Sequence, residues 1–176
     1  MTERDFIPIR IAVLTVSDTR TMEDDKSGNV LVDRLTRDGH VLADRQIFPD
    51  EQDQIAEQLR KWCDNDAIDA VISTGGTGLT GRDISVEAHR EVYEKEIDAF
   101  STYFTMISAA KIGTSAIQSR ACAGVAKGTY LFALPGNPGA CKDGWDEILR
   151  FQLDYRHKPC NFVEIMPRLE EHERRK

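Results

Sequence analysis

The run Ser73-Thr74-Gly75-Gly76-Thr77-Gly78-Leu79-Thr80-Gly81-Arg82-Asp83 holds the residues best spaced for chemistry. Glycine leaves the backbone without Cβ, so the N–H groups of Gly75, Gly76 and Gly78 can close around an anion such as a phosphate group. Asp83 ends the run, where its carboxylate can cap a helix or face the same anion through a bound Mg²⁺. A glycine-rich turn alone could serve only to change direction. The carboxylate at its end shifts the reading toward a metal-phosphate site.

Two familiar phosphate loops do not fit. A P-loop requires a Lys-Ser/Thr pair where this chain has Arg82-Asp83 after Gly81. The spacing Gly76-x-Gly78-x-x-Gly81 matches a dinucleotide fingerprint, but it follows a later strand, without the expected acidic residue closing the next one. A second side-chain-poor turn, Pro135-Gly136-Asn137-Pro138-Gly139, could hold the other end of an elongated ligand. Ser17 and Asp18 close the first apolar run, and Asp50 follows the second strand.

Apolar patterning supplies the elements that must position these groups. The nearly continuous run 9–16 predicts a parallel strand covered on both faces. Ser27 then caps a helix over 28–38, which Gly39 stops. A strand over 41–48, a helix over 51–64 carrying Ile55, Leu59 and Trp62 on one face, and a strand over 67–72 follow. This alternation predicts a parallel sheet with right-handed crossovers, whose ligands bind at the carboxyl ends of the strands. Asp18, Asp50 and Asp83 would share that edge, where they repel one another unless a proton or a divalent cation intervenes.

Residues 85–108 read as helix with a break near Glu96. Tyr93, Ile97, Phe100, Phe104 and Ile107 form a core stripe, and the additional apolar surface of Tyr103 and Met106 points to a second subunit. Residues 112–120 read as loop or short helix, with Thr114, Ser115 and Ser119 as hydroxyl donors. Two short strands over 121–126 and 129–134 flank Lys127-Gly128 and suit an antiparallel hairpin, so the sheet is expected to be mixed. A helix over 140–153 packs through Trp145, Ile148 and Leu149. The fold class is therefore α/β, with three layers: a mostly parallel mixed sheet and helices on both faces.

At 176 residues, 40% hydrophobic and 30% charged, the chain is expected to be one domain, with 166–176 as a charged, loosely ordered tail. A net charge of −7 argues against nonspecific partners among nucleic acids and anionic membranes. Cys63, Cys122, Cys141 and Cys160 lie far apart and the four histidines are scattered, so reduced thiols and no zinc site are expected. The amino terminus lacks a hydrophobic signal core and no run approaches a membrane span. The expected location is the cytoplasm.

These motifs together resemble the molybdopterin-binding family of molybdenum cofactor biosynthesis, the MogA/MoaB-type molybdopterin adenylyltransferases, over residues 6–165. Thr15-Val16-Ser17-Asp18 is similar to the family's first loop and Asp25-Lys26-Ser27-Gly28 to its Asp-x-Ser-Gly. Thr74-Gly75-Gly76-Thr77-Gly78 with Asp83 is similar to its signature loop; Ser119-Arg120 and Leu134-Pro135-Gly136-Asn137-Pro138 are similar to two later segments. The tail Lys158-Pro159-Cys160-Asn161-Phe162 leans toward the MoaB branch. The resemblance implies a trimer or a dimer of trimers, and Mg²⁺-dependent transfer of AMP from ATP to the terminal phosphate of molybdopterin with release of pyrophosphate. It places the catalytic, metal-binding carboxylates at Asp50 and Asp83.

The residue types suit that chemistry. A phosphate monoester is already mostly ionised at neutral pH, so no strong general base is required. Two polyanions must instead be aligned and their charge neutralised. Ser17, Asp18, Gly75, Gly76, Thr77, Gly78, Ser115, Pro135, Gly136 and Asn137 are the expected binding residues, with Arg82, Arg120 and Lys142 as counter-charges. Two other functions share the same pattern: a molybdopterin carrier without catalysis and a nucleotide pyrophosphatase of the same fold.

Overall fold

In the computed structural model, which describes residues 3–174, four parallel strands form the middle and one edge of a six-stranded sheet. They are β1 (Arg10–Val16), β2 (Val41–Phe48), β3 (Ala70–Thr74) and β6 (Thr129–Leu134); β4 (Lys95–Glu96) and β5 (Cys122–Ala126) complete the sheet. The spatial order is β2-β1-β3-β6-β5-β4, with β5 antiparallel to both β6 and β4. The mixed, mostly parallel sheet is thus as the sequence predicts. Its hairpin turns through Lys127 (φ 48°) and Gly128 (φ 77°), the left-handed pair that matches strand twist.

Strand alternation sorts the core into two layers. Ile11, Val13, Ile72, Tyr130 and Phe132 face α1 (Lys26–Arg37), α4 (Asp98–Ile112) and the helix that begins at Pro138 as α5 (Pro138–Gly144). Ala12, Leu14, Val16, Val71 and Leu131 face α2 (Gln52–Cys63) and α3 (Ser85–Val92). Both faces of the sheet are therefore covered, which explains the near-continuous apolar strands.

Local chemistry moves several boundaries. Helix α1 is capped by Asp25, which accepts from Gly28 N at 2.9 Å, and not by Ser27, which lies buried inside the first turn. Asp83 does not open a helix: its carboxylate closes a turn by accepting from Thr80, and α3 starts at Ser85. The stretch expected as one interrupted helix is α3, the two-residue β4 and α4. Phe100 and Phe104 are buried, and Ile97 and Ile107 pack beside them, but Tyr93 leaves that stripe for the opposite layer and lies against Gly124, where a Cβ would sit 2.3 Å from its ring.

Residues Gly113–Gln118 form a 3₁₀ turn. After Gly144 the last long helix continues through a π turn, Trp145–Leu149, which buries all three predicted apolar residues, and ends at Arg150–Gln152. The expected loose tail is partly folded: Met166–Arg168 and Glu171–Arg174 are short helical turns, and Met166 and Leu169 pack on the core. Positions 175 and 176 lie outside the described residues. All four cysteines are free, and only Cys160 is exposed. No described helix is long and apolar enough to cross a membrane.

Candidate functional site

Because β2, β1, β3 and β6 run parallel side by side, their carboxyl ends bring the predicted loops to one edge. There the loops enclose a cavity of about 480 Å³ lined by Ser17, Asp50, Gly75 to Gly78, Asp83, Pro135, Gly136 and Asn137. The two side-chain-poor turns touch: Gly75 N donates to Leu134 O at 3.1 Å, and a Cβ on Gly136 would stand 2.8 Å from Gly75 Cα. Thr74 Oγ1 adds a bond to Pro135 O at 3.0 Å. Gly75 has φ +101°, and its Cβ position lies 2.2 Å from Val16 O, so only glycine fits there.

The glycine loop has a definite polarity. Its carbonyls are taken by protein: Ser85 Oγ donates to Gly75 O at 2.6 Å, Ser85 N to Gly76 O at 2.8 Å, and Arg120 to Thr77 O and Gly78 O. The amides of Gly76, Thr77, Gly78 and Leu79 make no hydrogen bond among the described residues. Successive amides left free in this way form an anion-accepting concavity.

Two carboxylates stand on the same rim. A Cβ on Gly76 would lie 3.0 Å from Asp50 Oδ1, and one on Gly78 would lie 2.6 Å from Asp83 Oδ2. The glycines therefore make room for the acids as well as for a ligand. Burial raises the Asp50 carboxyl above the ordinary aspartate range, and the charges of Asp18 and Asp83 raise it further, against the opposing pull of Arg82. The predicted convergence of three acidic residues is present.

Asp18 has a different task from the one expected. It does not line the cavity; it accepts from Asp50 N at 3.1 Å and pairs with Arg82 at 2.8 and 3.1 Å. The Arg82 bonds, followed by that amide, hold the Asp18 carboxyl below its usual range. Arg82 also bonds Glu51, so it braces neighbouring loops and is not a free counter-charge.

Ser115 is exposed on the 3₁₀ turn and away from the cavity, which Ser119 lines in its place. Asn137 uses its side-chain oxygen to cap α5 at Ala140 N, 2.7 Å away. Lys142 is exposed and does not line the cavity. The cations that do are Arg20, from the loop between β1 and α1, and Lys26, the first residue of α1, neither of which the sequence singled out as a counter-charge. The signal for Lys26 is the Asp25-Lys26-Ser27-Gly28 motif itself: Asp25, buried, accepts from Thr15 Oγ1 at 2.6 Å and ties the start of α1 to β1.

Among the described residues no group of three or more His, Cys, Asp or Glu is arranged to hold a metal ion. Asp50 and Asp83 nevertheless both line the cavity, and the placement of two carboxylates on one rim fits a shared hard cation. Two carboxylates completed by ligand oxygens and water are the habit of Mg²⁺.

Fold and cavity define a class: a three-layer α/β domain with a glycine-lined, carboxylate-rimmed cleft at the carboxyl edge of its parallel strands. Within that class, the chain belongs to the family described as "Probable molybdopterin binding domain", whose model matches residues 12–155. It is 45% identical over 158 residues to molybdenum cofactor biosynthesis protein B of Escherichia coli (strain K12), covering 90% of this chain and 93% of that one. A crystal structure of a molybdenum cofactor biosynthesis protein B superposes with a TM-score of 0.84 at 31% identity, covering 97% of this chain and 99% of the other. The tungsten cofactor synthesizing protein MoaB from Pyrococcus furiosus gives a TM-score of 0.71 at 28% identity over 94% and 96% of the two chains.

Proposed function

We propose that this protein acts in molybdenum cofactor biosynthesis by transferring AMP from ATP to the terminal phosphate of molybdopterin. A phosphate oxygen of the pterin substrate attacks the α-phosphorus of ATP. A new phosphoanhydride bond forms as the bond to the β-phosphate breaks, and pyrophosphate leaves with the electron pair. The attacking group needs no strong base, because a phosphate monoester has a second pKa of about 6.

The observation that carries this reading is the pairing of free amides at Gly76, Thr77 and Gly78 with the carboxylates of Asp50 and Asp83 in one cavity. The amides receive phosphate oxygens and hold the two polyanions in line. Asp50 and Asp83 would hold Mg²⁺, which when bound supplies neutralisation of phosphate charge. Ser17, Thr77 and Ser119 offer hydroxyls, and Arg20 and Lys26 supply positive charge in an otherwise acidic chain. Family membership and the names of the relatives support the pathway. Self-association as a trimer or a dimer of trimers belongs to the same reading, supported by Tyr103 and Met106, 53% and 62% exposed.

The substitution Asp83→Asn tests the proposal. It keeps the side chain's size and removes its charge, so AMP transfer is expected to be lost while the melting temperature stays within a few degrees. Near-normal turnover in that variant would remove Asp83 from the metal site and the present mechanism with it.

A further inference from the structure

The free amides of the glycine loop exist because its carbonyls are engaged, and one side chain outside the cavity engages two of them. Arg120 donates through Nε to Thr77 O at 3.0 Å and through Nη2 to Gly78 O at 2.9 Å. Its own backbone N–H adds a 3.2 Å bond to Thr77 O. Behind the guanidinium, Glu87 in the first turn of α3 accepts from Nη1 and Nη2. Arg120 does not line the cavity, although Ser119 beside it does.

In a trans peptide each N–H points opposite to the carbonyl of the preceding residue. Fixing Thr77 O and Gly78 O toward Arg120 therefore turns the amides of Gly78 and Leu79 the other way. It also fixes Gly78 against the Asp83 carboxylate, with no room for a Cβ between them.

We propose that Arg120, braced by Glu87, is a positioning residue for phosphate recognition: it sets the peptide orientation of the glycine loop and does not act as a counter-charge to the ligand. The proposal rests on reading the cavity as a polyphosphate site. Its chemical content is that the planar fork matters, more than the positive charge. Lysine keeps the charge but offers donors from a single point, so it cannot span two carbonyls and a carboxylate together.

The test compares wild type, Arg120→Lys and Glu87→Gln in three measurements: calorimetric binding of inorganic tripolyphosphate with Mg²⁺, melting temperature, and loop exchange, meaning amide hydrogen exchange at positions 80, 85 and 120, whose N–H groups bond Asp83 Oδ2, Gly76 O and Thr77 O. In Arg120→Lys, affinity is expected to fall at least tenfold and exchange of the loop to rise at least tenfold, with β1 and α2 as protected as in wild type. Glu87→Gln should move both quantities in the same direction by about threefold, and it decides the matter if Arg120→Lys does not fold. Affinity within twofold of wild type and unchanged loop exchange in the folded variant would overturn the proposal. So would exchange raised evenly along the chain with affinity retained, the mark of a general stabiliser. If wild type binds no tripolyphosphate, the polyphosphate reading fails, and Arg120 is judged by loop exchange alone: unaltered protection in the folded variant overturns its role.

Discussion

Gly78→Ala puts a single methyl group directly against one of the carboxylates that line the cavity. The added Cβ would lie 2.6 Å from Asp83 Oδ2 and 3.2 Å from its Cγ, while Gly78 itself needs no left-handed backbone. The strain falls on the carboxylate alone, which must retreat by about 1 Å to reach an ordinary contact of about 3.5 Å. In moving, it gives up its bonds from Thr80 N at 3.0 Å and Thr80 Oγ1 at 2.7 Å. These bonds are solvent-exposed, so their loss costs at most about 1 kcal/mol, or roughly 2–4 °C in melting temperature for a domain of this size. A displacement of about 1 Å at the reacting centre costs on the order of 100-fold in rate. The assay is pyrophosphate release from ATP in the presence of Mg²⁺ and molybdopterin, alongside thermal unfolding. Gly81→Ala is the internal control, because its Cβ would meet nothing within 4 Å and its φ is likewise not left-handed. Gly81→Ala should turn over like wild type, and Gly78→Ala should lose about 100-fold in rate. Equal rates in the two variants would refute the argument that Gly78 is there to seat Asp83.

Two further predictions concern pH. The raised Asp50 carboxyl, caused by burial and then by Asp18 and Asp83, means that ionising it costs folding stability; the cost is absent below the unfolded pKa and complete once pH exceeds the folded one. Asp50→Asn should therefore melt higher than wild type at pH 7 without metal and lose that advantage near pH 3, and an unchanging difference across the range would count against it. His89 is wholly buried, bonded to Ser73 Oγ at 2.8 Å and to the Tyr93 hydroxyl at 2.9 Å, and burial lowers its pKa to about 3. The unfolded chain takes up this proton near pH 6.5 and the folded chain does not, so stability falls as pH drops through that window, by at most about 1.4 kcal/mol per pH unit. Melting curves from pH 7 to 4 should show a shallower acid slope for His89→Gln, and an identical slope would contradict the assignment.

What the sequence made legible was whatever depends on periodicity and on turn chemistry. The apolar runs of β1 and β3, the Lys127-Gly128 hairpin and the meeting of Asp18, Asp50 and Asp83 on one edge all follow from residue type and strand order. Choices between chemically equivalent neighbours were not legible. Asp25 and Ser27 are both good helix caps, and Asp25 prevails because Thr15 and Arg45 also hold its carboxylate. Ser115 and Ser119 differ only in where the 3₁₀ turn ends, and that places one in solvent and the other at the cavity. Arg82 and Arg120 resemble counter-charges in a linear sequence; their partners, Asp18 and the Thr77 carbonyl, come from distant segments of the chain. β4 is only two residues long and owes its existence to the edge of β5, so no local pattern announces it.

The most direct test of the central claim is pyrophosphate release from ATP by the purified protein, measured with and without molybdopterin and with and without Mg²⁺. Release is expected only when both are present. Tight pterin binding without release, or release from nucleotide in the absence of pterin, would contradict it: the first would make the protein a carrier and the second a pyrophosphatase.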